Sequence, residues 1–421
     1  MLALAIAVAM VAGGTAIDMA RLMATQAALS AAVDAAVLQA VTSGLFSTSE
    51  LEDLALSAFE LNYNNLRYGE LLETELDVSG NNYTFSAVAR LDTSFMRLAG
   101  VNSVRVPVSA QALKQAKNLE VALVLDVTSS MSETEMDTLQ QAATDLVATV
   151  MQGAGEGVTT RFAIVPYADA VNLGDYAELA RGPISSGTCT TPGCEKYTFL
   201  TDSRSYKTYS STSCVTERIG DDAYTDDSVE SAPVGYFYDF RSVCTGNEIL
   251  PLTDDTEAIE EAIETLKTGR YTAGQLGIGW GWYTLSPNIG LWSGNSVPGA
   301  YDDSLTSKVV VVMTDGQFNT AYCNGVYSSD ESNETAQNRI SCNAQNGSSR
   351  SQALSLCTAM KANGITIYTV GFDIASYASA TSLLSSCSSG SDYSYLAEST
   401  DDLLASFSDI AARLGDIRLS R

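Results

Sequence analysis

The run from Val121 to Leu125 is apolar without alternation and ends in a carboxylate, Asp126. An unbroken apolar run predicts a strand buried on both faces, the kind found in parallel sheets covered by helices. Thr128 and Ser130 follow, and then apolar residues at Leu139, Ala142, Leu146 and Val150 predict a helix over 135–151. One carboxylate and two hydroxyls at the carboxyl edge of a parallel sheet make an all-oxygen site suited to a hard cation. The plainer reading of the same residues is that Asp126 and Ser130 cap the next helix.

Strand and helix patterns alternate through the rest of the chain. Strands are expected over 161–167, 308–313, 365–370 and 393–397, with helices over 254–267, 351–361, 377–385 and 400–414. This alternation implies an α/β fold, a doubly wound parallel sheet of Rossmann-like type. An insertion over 174–250, rich in Ser, Thr, Gly, Asp and Tyr, interrupts it. Thr272 falls in a loop between helices, and the apolar strand 309–313 runs into Thr314 and Asp315. Ligands of open parallel sheets bind where strand ends meet loops. Three loops thus deliver Asp126, Thr128, Ser130, Thr272 and Asp315 to one edge.

Composition narrows the function. The net charge of −27 argues against nucleic acid and against electrostatic docking on anionic lipid. The absence of histidine removes the usual general base, the usual zinc ligand and the Ser-His-Asp triad. Binding rather than catalysis is the expectation.

Residues 1–17 are apolar or small apart from Thr15, and Asp18 and Arg21 end the run. An alanine-rich helical pattern continues to about Val41, so a long helix is expected, half in a membrane and half outside. A second helix over 47–62, with Ser49 as its cap, precedes alternating segments between 74 and 114 that turn at Gly80-Asn81-Asn82. This predicts a small pilin-like α+β stem. The expected division is a membrane helix over 1–45, a stem over 46–117 and the α/β domain over 118–421.

The residues Asp126, Thr128, Ser130, Thr272 and Asp315 resemble the metal-ion-dependent adhesion site of von Willebrand factor A domains, with Thr128 in place of the first motif serine. The resemblance implies that Ser130 and Thr128 ligate the ion directly or through water, that Thr272 does so according to ligand state, and that Asp126 and Asp315 mostly hold waters. It implies Mg²⁺, with Ca²⁺ or Mn²⁺ as alternatives, and a protein partner that offers a carboxylate. The segment AIDMARLMATQAALSAAVDAAVLQAV resembles the TadE/TadG-like N-terminal region of tight-adherence (Flp) pilus assembly proteins. So do CVTER (214–218), GIGWGWYTLSP (277–287) and IRLS (417–420). This implies a bacterial envelope protein, in the inner membrane with a periplasmic domain or outside on the pilus, that meets other pilus subunits. It would act as a minor pilin or tip adhesin, or alternatively as an inner-membrane scaffold with a non-essential cation site.

The eight cysteines show no CxxC spacing, and disulfides in an oxidising compartment are expected. Nearest-neighbour pairing gives Cys189 with Cys194, Cys214 with Cys244, Cys323 with Cys342 and Cys357 with Cys387. Tyr197, Tyr206, Tyr209, Tyr224, Tyr236, Phe237, Tyr238 and Phe240 suit either a recognition surface or a loop anchored by its own aromatics. Trp280 and Trp282 are expected to pack, and the acidic pairs 221–222, 226–227, 254–255 and 302–303 to be surface charge.

Overall fold

The computed structural model describes residues 2–43, 48–79, 82–113, 117–152, 158–241, 244 and 247–419. The chain divides into two compact units, 1–116 with 419–421, and 117–418.

In the smaller unit, helices α1 (Leu2–Thr42), α2 (Thr48–Asn62) and the short α3 (Asn65–Tyr68) precede three antiparallel strands. These are β1 (Glu70–Ser79), β2 (Asn82–Asp92) and β3 (Ser103–Leu113), in the order β1-β2-β3. Leu29, Val33, Ala36, Val37 and Ala40 recur at helical spacing on α1, and Leu51, Ala55 and Phe59 do so on α2. With Phe85, Ala87 and Ala89, which alternate along β2, they form one core. Among the described residues one stretch, within 13–42, is long and apolar enough to cross a membrane by length and composition. From Leu29 onward, however, α1 belongs to the core of the stem. Ser79 pairs with Asn82, as the expected hairpin requires, while Gly80 and Asn81 lie outside the described residues. Helix α2 begins at Thr48, which puts Ser49 inside its first turn rather than at its cap.

The larger unit opens with β4 (Asn118–Asp126), α4 (Glu133–Gln152) and β5 (Thr160–Tyr167). Then come β6 (Val171–Asn172), α5 (Ala177–Arg181), β7 (Ser185–Cys189), β8 (Cys194–Leu200), β9 (Tyr206–Thr216), β10 (Gly235–Asp239) and β11 (Leu250–Thr253). Next are α6 (Thr256–Glu264), α7 (Gly274–Leu285), β12 (Thr306–Thr314), β13 (Tyr322–Cys323) and β14 (Val326–Tyr327). The last elements are α8 (Ser349–Ala362), β15 (Thr366–Phe372), α9 (Ala378–Cys387), β16 (Ser394–Ala397) and α10 (Thr400–Leu419). The central sheet runs β11-β5-β4-β12-β15-β16; its strands are parallel except β11, an antiparallel edge absent from the sequence reading.

Alternate residues of β4 serve opposite cores. Ala122 and Val124 face a cluster containing residues of α7 and α8. Val121, Leu123 and Leu125 face one containing residues of α4, α6 and α10. Each fully buried Val or Leu contributes roughly 1.5–3 kcal/mol, so the middle strands are the most strongly fixed part of the sheet. Helix α7 is buried on every side and needs small residues to reach the sheet. A Cβ on Gly277 would run into the Tyr167 ring, and one on Gly281 would sit 2.5 Å from Val124 Cγ2.

The insertion is not a loop. It folds as a sheet in the order β10-β9-β8-β7, with β6 on β9. Tyr197, Phe199, Tyr209 and Tyr238 form a small core of their own with Cys323, Val326 and Ile340, and Phe237 joins the main core, so these aromatics are interior. Tyr206 stays exposed. All four expected disulfides are present: Cys189–Cys194, Cys214–Cys244, Cys323–Cys342 and Cys357–Cys387. Trp280 and Trp282 are buried, as expected. Asp226 corrects the surface-charge expectation, because its buried carboxylate accepts from Tyr301 Oη (2.7 Å), Asn288 Nδ2 (3.1 Å) and Ser286. The CVTER residue Arg218 is also interior: it donates to the carbonyls of Thr225 and Asp227 and lies over the Tyr283 ring of α7.

We expect Gly281→Ala to destabilise the larger unit by about 1–3 kcal/mol, because β4 cannot retreat from α7 without disturbing both cores. Denaturant unfolding followed by tryptophan fluorescence reads this directly, since Trp280 and Trp282 flank the site; an unchanged midpoint would contradict the packing.

Candidate metal centre

The chain places β5 and β11 on one side of β4 and β12, β15 and β16 on the other. The strand order therefore reverses between β4 and β12, where open α/β sheets form a crevice beyond the carboxyl ends of their strands. Leu125 pairs with Met313 and Asp126 with Tyr167, so the ends of β4, β5 and β12 are level. Asp126 ends β4, and Asp315 immediately follows β12.

The helix that follows β4 is capped by neither Asp126 nor Ser130. The Ser132 backbone N–H donates to Glu135 Oε2 (2.7 Å), and the Glu135 N–H donates to Ser132 Oγ (3.4 Å), a capping box that starts two residues after Ser130. Asp126 and Ser130 are thus free for another role. Asp126 is fully buried and held by three donors: the Thr128 N–H (3.0 Å), Tyr167 Oη (3.1 Å) and Thr314 Oγ1 (2.6 Å). Thr128 Oγ1 and Ser130 Oγ lie 2.9 Å apart. Both reach Asp315 Oδ1, at 3.4 Å and 2.9 Å. Ser130 is exposed and Asp315 half-buried, so the cluster opens to solvent on that side.

Four of the five expected residues therefore share one hydrogen-bonded cluster. Thr272 is brought to the same edge through its backbone: its N–H donates to Asn319 Oδ1 (3.2 Å), and its carbonyl accepts from the Asn319 N–H (2.9 Å). The loop before it is tied to the first motif, since the Arg270 carbonyl accepts from both the N–H and the Oγ of Ser129 (3.2 and 3.0 Å).

The electrostatics are those of negative charge awaiting compensation. Burial pushes the Asp126 carboxyl above the usual range despite its hydrogen bonds. Burial and the charge of Asp126 push Asp315 up to about 7. Burial together with the Asp126 charge also raises the Tyr167 phenol well above its ordinary value, which leaves it a donor. Two carboxylates, two hydroxyls and no nitrogen or sulfur donor fit a hard cation. Among the described residues no group of three or more Cys, Asp and Glu side chains could hold a metal, so the donor set here depends on hydroxyls.

The sequence reading missed Tyr167, Thr314 and Asn319, the groups that orient the motif. It also missed a cluster behind the motif. Arg270 Nη2 lies 2.9 Å from Asp169 Oδ2, 2.8 Å from Asp239 Oδ1 and 2.9 Å from Tyr327 Oη. Tyr327 Oη also donates to Asp169 Oδ2 (2.6 Å). Asp169 follows β5, whereas Asp239 ends β10 of the insertion, so one guanidinium joins the insertion to the loop that holds Thr272.

No protein-family model matches the chain, and no curated protein matches it. Among solved structures the chain is similar to the pilus adhesin SpaC of Lactobacillus rhamnosus GG, at 12% identity and a TM-score of 0.39, over 82% of this chain and 34% of that one. This chain thus spans about a third of that adhesin's length. It is also similar to the vWF domain of the type V pili tip protein Mfa5 of Porphyromonas gingivalis, at 14% identity and a TM-score of 0.41, over 73% and 97% of the two chains. A third likeness is to mussel byssus proximal thread matrix protein 1 with a zinc-occupied MIDAS motif, at 14% identity and a TM-score of 0.33, over 71% and 48%. Likenesses this distant say nothing of ligand or activity.

Removing the guanidinium strands two buried carboxylates. We expect Arg270→Ala to cost roughly 3–5 kcal/mol at pH 8. The loss should shrink at pH 5, because burial already raises the Asp169 carboxyl toward its neutral form. Urea unfolding at the two pH values tests this, and equal losses would place the effect elsewhere.

Proposed function

We propose that the larger unit is a doubly wound α/β domain of von Willebrand factor A type that binds a protein partner through a hard divalent cation, Mg²⁺ in the first instance. The observation that carries this reading is the convergence of Thr128 Oγ1, Ser130 Oγ and Asp315 Oδ1 within 2.9–3.4 Å at the switch point of the sheet. Thr128, Ser130 and Thr272 would hold the ion, with Asp126 and Asp315 orienting them and their waters. When bound, the cation supplies a positive centre for a partner's carboxylate. Neutral hydroxyls leave its charge incompletely balanced, which explains how a chain of net charge −27 could engage an acidic side chain.

The residues do the rest. Tyr167 and Thr314 keep Asp126 turned into the cluster, and the exposed Ser130 leaves the partner's side open. No His-based acid or base exists in the chain, and we read the site as binding rather than catalytic. The resemblance of several segments to TadG-like proteins supports reading it as a component of tight-adherence pilus biogenesis, a minor pilin or tip adhesin of the bacterial envelope. Other pilus subunits are its natural partners. The apolar start of α1 favours a second reading, an inner-membrane scaffold. The protein should appear in fibres sheared from cells; retention in the inner-membrane fraction alone would move the assignment to the scaffold.

The cation reading has a pH signature. An unfolded aspartate ionises near 4, whereas Asp315 does so at about 7 in the fold. Between those values the unfolded chain has released a proton that the fold retains, so metal-free stability falls as pH rises from about 4 to about 7. Cation binding favours ionised Asp315 and strengthens over the same window. At a hundredfold excess over Kd, Mg²⁺ should stabilise the protein by about 2.7 kcal/mol at pH 8, and by much less at pH 5. Ser130→Ala and Asp315→Asn should abolish the effect. Thermal unfolding with and without Mg²⁺ decides, and equal metal-induced shifts in wild type and variants would refute the site.

A further inference from the structure

The connection between β2 and β3 reaches toward the N-terminal end of α1. Arg21 Nη1 donates to the Asp92 carbonyl (3.3 Å) and to Ser94 Oγ (3.1 Å). One turn nearer the N-terminus, the Asp18 carboxylate accepts the backbone N–H groups of Ser94 (2.9 Å), Phe95 (2.7 Å) and Met96 (2.7 Å). Nearer still, the Phe95 side chain packs against Gly14, where a Cβ would run into it. Contacts thus descend α1 from residue 21 to residue 14, about 10 Å along the axis, and the turn over 95–101 lies at the foot of the stem. That foot is level with the end of the apolar run, where Asp18 is the first charge.

What the turn presents there is apolar and basic. Leu98 is 74% exposed, and Val101, with Ile17, Met19 and Met23 on α1, is exposed as well. Arg97 is exposed beside Leu98. Two carboxylates lie beside the turn: Asp18 is occupied by three N–H groups and has Arg21 3.7 Å away, and the exposed Asp92 has Arg90 3.8 Å away. The foot sets exposed apolar side chains beside Arg21 and Arg97, the mixture suited to a lipid headgroup boundary, and it is continuous with the apolar segment of α1.

We propose that the turn over 95–101 is a second membrane contact, with Leu98 and Val101 entering the headgroup region beside α1 and Arg97 reaching the phosphates. The turn then fixes the stem against the bilayer, and Asp18 is the strut that holds it there. This rests on α1 entering a membrane, a reading that can be tested separately.

The full chain is reconstituted in phosphatidylethanolamine–phosphatidylglycerol vesicles, with or without lipid brominated near the headgroup end of the acyl chains. Leu98→Trp, at an exposed position, reports on the turn; Ile6→Trp reports on the apolar run; the parent supplies the background of Trp280, Trp282 and Trp292. We expect the added fluorescence of both variants to be blue-shifted and quenched about twofold by the bromolipid. Quenching of Ile6→Trp with red, unquenched emission from Leu98→Trp would overturn the wedge and leave α1 in the bilayer. Blue-shifted but unquenched emission from Leu98→Trp would mean that another protein copy covers the turn, and would also overturn it. An unquenched Ile6→Trp would remove the membrane reading and the wedge together.

Discussion

The larger unit is organised around an electrostatic problem: two carboxylates at adjacent strand ends, one fully buried and one half-buried, linked through Thr128. Asp126 is held by the Thr128 N–H, Tyr167 and Thr314, which fix its direction but bring no charge. Asp315 gains only two hydroxyl contacts and half-exposure. Hydrogen bonds satisfy lone pairs; they do not neutralise a charge in low dielectric. A site of this kind either takes up protons or, as proposed above, takes up a cation.

The second charge cluster solves the same problem differently. Asp169 and Asp239 are also buried acids, but Arg270 pairs with both from within the chain, its single positive charge offsetting one of the two. The contrast is informative, since the fold supplies an internal counter-charge at Arg270 and, among the described residues, none pairs with Asp126 or Asp315. Because Arg270 also offers its carbonyl to Ser129, the insertion and the motif loop are mechanically joined. Ligand-binding loops commonly vary while their scaffold does not, and this linkage ties the insertion to the rigid part.

The motif was legible because its parts are local. An apolar run ending in Asp126, with hydroxyls at alternate positions, can be read without partners, and so can a second run ending in Asp315. Nearest-neighbour cysteine pairing also succeeded, because each bond closes a short span of 5 to 30 residues. The insertion was not legible. Its strands are short or weakly alternating, and β7 is largely exposed, so period and composition both suggest a loop. Tyr197, Tyr209 and Tyr238 look like surface residues until strands far apart in sequence bring them together. Asp226 failed for the same reason, since its partners Ser286, Asn288 and Tyr301 lie 60 to 75 residues away. The capping reading of Asp126 and Ser130 lost to Ser132 and Glu135, a box visible in the sequence.

All eight cysteines lie in the larger unit, and none lies between residues 1 and 116. The two parts therefore have different maturation requirements. The stem can reach its final form in a reducing environment, as soon as α1, α2 and the hairpins have met. The larger unit cannot be completed until its thiols meet an oxidant, and the Cys323–Cys342 bond closes a loop just beyond Asp315. A protein built this way is completed in sequence, the cysteine-free unit without an oxidant and the disulfide-bonded unit only after meeting one.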